Sequence, residues 1–228
     1  MKGVVYHYIR KPFVEFPNLN FLHADDFKKQ LDYFENQFGI ATAQEFIAAT
    51  KDEKSLQKHM GKAVLTFDDG LKDHYQYVFP ELQRRNLTAF FYVSTGPLNE
   101  NQLLAVHRLH ILLAKYGGET IYNVMMEKID DAILNTEDVD RFKNQTYQSQ
   151  NNDWHTTEVK KYFNYYIHYN KRDAVLDELM AEFFPGESSF SRDFYLNKDE
   201  IKEMAAAGNI FGSHTINHYL LSKCDEAT

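Results

Sequence analysis

The sequence predicts an α/β fold on a parallel sheet, as in a β/α barrel, with a helical insertion. Three observations predict it. Short apolar strand-like runs alternate with amphipathic helical stretches, the order that a parallel sheet requires. The run Lys62–Gly70, KAVLTFDDG, is an apolar strand that ends abruptly in two carboxylates and a glycine, and the carboxyl ends of parallel strands are where α/β sites collect. The stretch from about Gly96 to Leu196 has few β-branched runs and a helical spacing of apolar residues.

In order, the chain opens with a strand over Gly3–Ile9 and a loop containing Pro and Asn. A helix follows from about Asp25 to Phe38, with Phe27, Leu31, Phe34 and Phe38 on one face and Gly39 as its stop. Thr42 with Glu45 three positions on is a capping box for a second, short helix. Then come the strand into Asp68, a helical stretch near Tyr75–Arg85 interrupted by Pro80, and a strand over Thr88–Val93. After the insertion, Asn197 and Glu200 cap a helix that runs to Gly208, and a short strand leads to His214. The expected division is therefore 1–95 as the first part of the barrel, 96–196 as the insertion and 197–228 as a further barrel segment. Within the insertion, YFNYYIHY places Tyr162, Tyr165, Tyr166 and Tyr169 on one helical face. Such a face either packs against a neighbouring element or offers rings to a sugar.

A chain of 228 residues can bury a substantial core. Its net charge of −8, without a long basic cluster, argues against a nucleic-acid partner. The one cysteine, Cys224, makes no internal disulfide and fits a reducing compartment. The apolar run VVYHYI near the N-terminus is broken by His7 and followed by Arg10 and Lys11. It is too short for a signal-peptide core or a membrane span, so a cytoplasmic protein is expected, with export after removal of a leader as the alternative.

Asp68 and Asp69 cannot both face a core, because neighbouring strand residues point to opposite sides and ionised carboxylates are rarely buried without partners. They make either an ordinary Asp-Gly turn or a site. Far downstream, His214 and His218 are four positions apart, which on a helix puts both on one face. Two imidazoles and one carboxylate suit Zn²⁺ or another first-row divalent ion, with positions left for water and substrate. Thr215, between the histidines, is expected to fix the loop through a side-chain to backbone hydrogen bond. His107 and His110 have metal-like spacing but no neighbouring carboxylate in sequence.

Together, Thr66-Phe67-Asp68-Asp69-Gly70 and His214-Thr215-Ile216-Asn217-His218 resemble the first and second motifs of the polysaccharide deacetylase family, the NodB-homology or carbohydrate esterase 4 group. Leu71-Lys72-Asp73, Thr88–Val93 and Ala207–Gly212 look like the family as well. The resemblance implies that Asp69, His214 and His218 hold a divalent metal, zinc first, with Co²⁺, Fe²⁺ or Ni²⁺ as other occupants. It implies that Asp68 is the catalytic base and that the substrate is a sugar or polysaccharide bearing N-acetyl groups. A Tyr-His pair in the first strand resembles some relatives, so His7, with Tyr8 beside it, is a substrate-side candidate; the alternative is a half-buried strand histidine. The family's later motifs, including the histidine that serves as general acid, find no match, and the chain stops ten residues after His218. The resemblance implies a distorted (β/α) barrel, incomplete on its C-terminal side, and the chain is accordingly read as a fragment of a metal-dependent N-deacetylase. An inactive metal-binding or carbohydrate-binding relative and another C–N hydrolase of the same superfamily are the alternatives. Oligomeric state is left open.

Overall fold

A computed structural model describes residues 1–142, 146–147 and 149–221; Cys224 lies outside the described residues. The chain divides into two compact units. Unit 1 comprises Met1–Pro12, Asn20–Gln102 and Ser189–His218; unit 2 comprises Phe13–Leu19, Leu103–Ser188 and Tyr219–Thr228. Among the described residues, no helix is long and apolar enough to cross a membrane.

Unit 1 is built on a four-stranded, wholly parallel sheet. Its strands are β1 (Lys2–Tyr6), β4 (Ala63–Phe67), β5 (Phe90–Val93) and β6 (Ile210–Ser213), in that spatial order. A minor parallel pair, β2 (Ile9–Arg10) and β3 (Leu22–His23), follows β1. The single strand expected over Gly3–Ile9 is thus two, because the chain leaves the sheet at His7 and Tyr8 and pairs afresh beyond them. Successive sheet strands are neighbours with helix-containing connections between them, as in one arc of a β/α barrel.

One layer of rings sets the register. Tyr6 lies opposite Phe67, Phe67 opposite Phe91, and Phe91 opposite Phe211. Their rings stack in a row at centroid spacings of 5.3, 4.9 and 5.4 Å. Cross-strand pairs of this kind stabilise a sheet and oppose slippage. On β1 and β4 the ring residue is the last of the strand, and on β5 and β6 it stands two positions before the end.

The helices of unit 1 start where their sequence says. Helix α1 (Ala24–Gln37) buries Phe27 and Leu31, and α2 (Ala43–Lys51) has the Thr42–Glu45 capping box in place; α3 (Glu53–His59) follows it. After β4, a π-helical turn over His74–Val78 runs into α4 (Phe79–Arg84), with Pro80 in the first turn of α4, where a missing N–H costs nothing. Glu81, buried on α4, accepts hydrogen bonds from Arg84 and Arg85, which hold its carboxyl down at about 2.

Unit 2 is helical, as the insertion is expected to be. It contains α5 (Ala105–Tyr116), α6 (Gly118–Lys128), α7 (Thr136–Phe142), α8 (Trp154–Lys161) and α9 (Tyr169–Phe183). The four tyrosines do not share a helical face. Tyr162–Tyr166 form a π-helical turn, which resets the angular spacing before α9 begins at Tyr169. Tyr166 is buried, Tyr165 stacks on Phe142 and Tyr169 meets Tyr219 and Arg172. Helix α10 (Glu187–Phe194) leads back to unit 1, where α11 (Lys198–Ala206) carries the Asn197–Glu200 capping box and ends before Gly208, whose φ is +94°.

Candidate metal centre

Four neighbouring strand ends each deliver one part of the site. His7 follows β1, Asp68 and Asp69 follow β4, Ser94 follows β5 and His214 follows β6. The parallel order of the sheet puts all four on the same edge. The motifs that are distant in sequence meet for that reason.

The aspartate turn is tight and enclosed. Asp69 has φ +74° and Gly70 φ +68°, two successive left-handed residues. A Cβ on Gly70 would stand 2.8 Å from Val93 Cγ1, so only glycine fits there. This geometry turns the Asp69 carboxylate inward, to 5% side-chain exposure, and leaves Asp68 at 18%. The Asp68 backbone N–H remains in the sheet, donating to the Tyr6 carbonyl at 2.9 Å. Burial pushes the Asp68 carboxyl above its ordinary value, against the lowering influence of His214, His7 and His218.

His214 and His218 do not lie on a helix. They sit on an irregular loop after β6, with Thr215 at φ +64° and His218 at φ +57°, and the bend between them does what four-residue helical spacing was expected to do. The loop is held by its neighbour. His214 N–H donates to Val93 O (3.0 Å), Ser94 Oγ donates to His214 O (2.8 Å), Thr95 N–H donates to Thr215 O (3.2 Å) and Gly96 N–H donates to Ile216 O (2.8 Å). A side chain at Gly96 would run into Asn217 Oδ1 and the Ile216 carbonyl. The Thr215 hydroxyl is buried with no hydrogen-bond partner, which corrects the expectation that it ties the loop; its backbone carbonyl does so instead.

Asp69 Oδ1 lies 3.6 Å from His214 Nε2 and 3.3 Å from His218 Nε2. The three donor atoms all fall within 4.8 Å of one another, and among the described residues no other group of three His, Cys, Asp or Glu does so. The fit to a metal can be tested on these distances. Ligands held roughly 2.0 to 2.2 Å from zinc at tetrahedral angles stand roughly 3.3 to 3.6 Å apart. The carboxylate is deep while the imidazoles are about one-third exposed, so the set is open on one side. The Asp69 hydrogen bond pushes the His218 imidazole above its ordinary value, as expected where a carboxylate faces an imidazole nitrogen. His107 and His110 belong to unit 2, with ring centroids 6.2 Å from each other, and are not members of this group.

Around the trio, a second set of contacts fixes the link after β1. His7 is exposed, and its Nε2 is 4.0 Å from Asp68 Oδ2, so it is neither a half-buried strand histidine nor remote from Asp68. Tyr8 is buried instead, with its ring against Phe194 and the Arg10 guanidinium above it. Burial drives its hydroxyl well above the ordinary tyrosine range. Of the two candidates, His7 is exposed and Tyr8 is not. Arg10 donates to both oxygens of Asp73 (2.7 and 2.9 Å), and both partners are buried. Beside that pair, His74 Nε2 lies 3.0 Å from the His7 carbonyl; a carbonyl can only accept, so the proton is on Nε2. Sequence reasoning missed Ser94, Gly96, Arg10 and His74. The one signal available was Ser94-Thr95-Gly96-Pro97, a run of turn-forming residues directly after a strand.

The sequence profile described as polysaccharide deacetylase matches residues 56–228. No curated protein matches the chain. Among solved structures, the chain is similar to the Streptococcus pyogenes deacetylase PplD in complex with acetate, at 16% identity and a TM-score of 0.49, over 99% of this chain and 60% of that one. A de-N-acetylase from Aggregatibacter actinomycetemcomitans matches at 17% identity and a TM-score of 0.37, over 56% of this chain and 51% of that one. IcaB from Ammonifex degensii matches at 25% identity and a TM-score of 0.32, over 50% of this chain and 49% of that one. The chain thus spans 60% or less of the length of these three proteins. By its match over residues 56–228, the chain belongs to the polysaccharide deacetylase family.

Proposed function

We propose that the protein is a metal-dependent N-deacetylase that removes acetyl groups from an N-acetylated sugar or polysaccharide. The observation that carries this reading is the convergence of Asp69, His214 and His218 at 3.3 and 3.6 Å, with Asp68 beside them at the same strand edge. Zinc suits two imidazoles and a carboxylate best, and Co²⁺, Fe²⁺ and Ni²⁺ suit them too. A divalent ion held there would supply Lewis acidity toward an acetyl carbonyl oxygen and make water more acidic.

The remaining chemistry belongs to the chain's own groups. Asp68, the less buried of the two aspartates, takes a proton from the attacking water at Oδ2, and its raised pKa suits it to holding that proton. The departing nitrogen needs a proton in return. His7 is the imidazole outside the proposed ligand set that faces Asp68, at 4.0 Å, and its side chain is half exposed to solvent. We assign it the donor role that sequence alone left without a residue. His74 and the Arg10–Asp73 pair hold the His7 backbone and the turn after Asp69 in fixed positions.

Acetate release from N-acetylglucosamine oligomers, with and without chelator, tests the reading. Asp68→Asn is expected to keep stoichiometric metal and lose about 10² to 10⁴ in turnover, because it removes the base and spares the ligands. His214→Ala is expected to lose the metal itself. Equal turnover in Asp68→Asn and the parent protein would overturn the assignment of the base.

A further inference from the structure

Unit 2 exposes an aromatic surface other than the one the tyrosine run suggested. The chain's one tryptophan, Trp154, is 60% exposed at the first turn of α8. Its ring meets Tyr122 at 5.2 Å and His155 at 5.0 Å, and Tyr122 meets His155 at 5.5 Å. The indole's interplanar angles with Tyr122 and His155 are 64° and 81°, so neither ring lies flat on it. The surface is held rigidly. Asp153 caps α8 by accepting from the Thr156 N–H (2.9 Å) and hydroxyl (2.6 Å). At Gly118, the start of α6 comes so close to α8 that a Cβ would fall 2.4 Å from Thr156 Oγ1, and one turn later α6 presents Tyr122 beside Trp154.

Charge narrows what such a surface would hold. Unit 2 has 10 Lys and Arg against 17 Asp and Glu, whereas unit 1 has 15 against 16. Nearly all of the chain's net negative charge therefore belongs to the unit that carries Trp154. An exposed indole offers its face to the C–H face of a sugar ring and also attracts a cation placed over it. A sugar bearing an ammonium group has both features.

We propose that Trp154, Tyr122 and His155 form a second glycan-binding site that takes amino-sugar residues with free ammonium groups, the deacetylated stretches of a polysaccharide. The choice of amino sugar rests on the deacetylase reading. The site itself stands on the rings and charges of unit 2 and needs no metal and no turnover.

Because Trp154 is the only tryptophan, its emission reports this surface alone. The full chain, in EDTA and at low ionic strength, is titrated with a β-1,4-linked glucosamine hexamer, with the N-acetylglucosamine hexamer and hexalysine as comparators. The expected result is a saturable change in emission with the glucosamine hexamer, weaker with the acetylated one, and weakened further by added salt. By calorimetry, Trp154→Ala is expected to bind the glucosamine hexamer about tenfold more weakly, as loss of a cation–π contact predicts. Trp154→Phe, which keeps a ring, should recover part of that loss. Unchanged emission, equal binding by Trp154→Ala, or an equal response to hexalysine would overturn the site. Equal binding of the acetylated hexamer would overturn its cationic preference. Failure here leaves the deacetylase reading intact, and absence of acetate release leaves this binding intact, so the two fail separately.

Discussion

The aspartate turn and the histidine loop face each other across the same site, yet they are held in place by different forces. The turn over Asp68–Gly70 is fixed by packing: two left-handed residues in a row, a carboxylate with 5% exposure, and a glycine against which Val93 closes. The loop over His214–His218 is half open to solvent and is fixed by backbone bonding to Val93–Gly96. The difference teaches which kind of damage each can absorb. Packing fails when volume is added, and it fails with the fold. A hydrogen-bonded loop can lose one bond and keep the fold, at a cost of about 1 kcal/mol in the position of what it carries.

The sharpest break is therefore Gly70→Ala. The new residue would be forced to φ +68° with its Cβ 2.8 Å from a buried, β-branched side chain. Left-handed strain and overpacking together are expected to cost about 4 kcal/mol, read as a fall in unfolding free energy from urea titration in EDTA. A loss below about 1 kcal/mol would show that the turn relaxes, and that packing does not fix it.

A second test separates the two regions by pH. His74, buried behind the aspartate turn against Phe67 and Phe91, has its imidazole pushed down from 6.5 to about 4 by burial. A lowered histidine value means that the unfolded chain takes up this proton at a higher pH than the folded one. The contribution is fully present above pH 6.5 and is lost as pH falls from 6.5 toward 4, by about 3 kcal/mol in all. His74→Gln keeps a donor for the His7 carbonyl and has no such proton. The difference in stability between parent and variant, both metal-free, should shift in the variant's favour over that window, while the histidine-loop titrations cancel. A pH-independent difference would mean that His74 takes up its proton as readily in the fold as in the unfolded chain.

Much of this architecture was legible in the sequence, and the exceptions share a cause. The capping boxes at Thr42 and Asn197, the strand into Asp68 and the helical insertion depend on local chemistry, and all are found. Convergence of Asp69, His214 and His218 was reachable only through the family resemblance, because the bend that brings the histidines together comes from Thr215 and His218 in left-handed conformations. Threonine does not signal that geometry, and histidine favours it only modestly. The tyrosine face failed for a similar reason: a π-helical turn at Tyr162–Tyr166 adds angular offset that a 3.6-residue pattern does not contain. Trp154 and Tyr122 were invisible as a pair, since 32 positions separate them and long-range packing, close at Gly118, brings their helices together. Local rules found the elements; long-range contacts chose the site.

The smallest expected effect tests the other half of the comparison. Ser94→Ala deletes the hydroxyl that donates to the His214 carbonyl at 2.8 Å and leaves the three backbone bonds of the loop in place. One neutral hydrogen bond contributes about 0.5 to 1.5 kcal/mol, so metal affinity is expected to fall by roughly threefold to tenfold. The unfolding midpoint of the metal-free protein should hardly move, because the hydroxyl positions a loop that carries little of the core. Titration with Co²⁺, followed by its visible absorption, separates the two outcomes without relying on activity. Reduced affinity with unchanged stability would mark Ser94 as a positioning residue for the histidine loop. A matching loss of stability would mean that the loop is held by packing after all, as the aspartate turn is. Unchanged affinity would mean that the bonds from Val93, Thr95 and Gly96 suffice to hold His214 where Asp69 meets it.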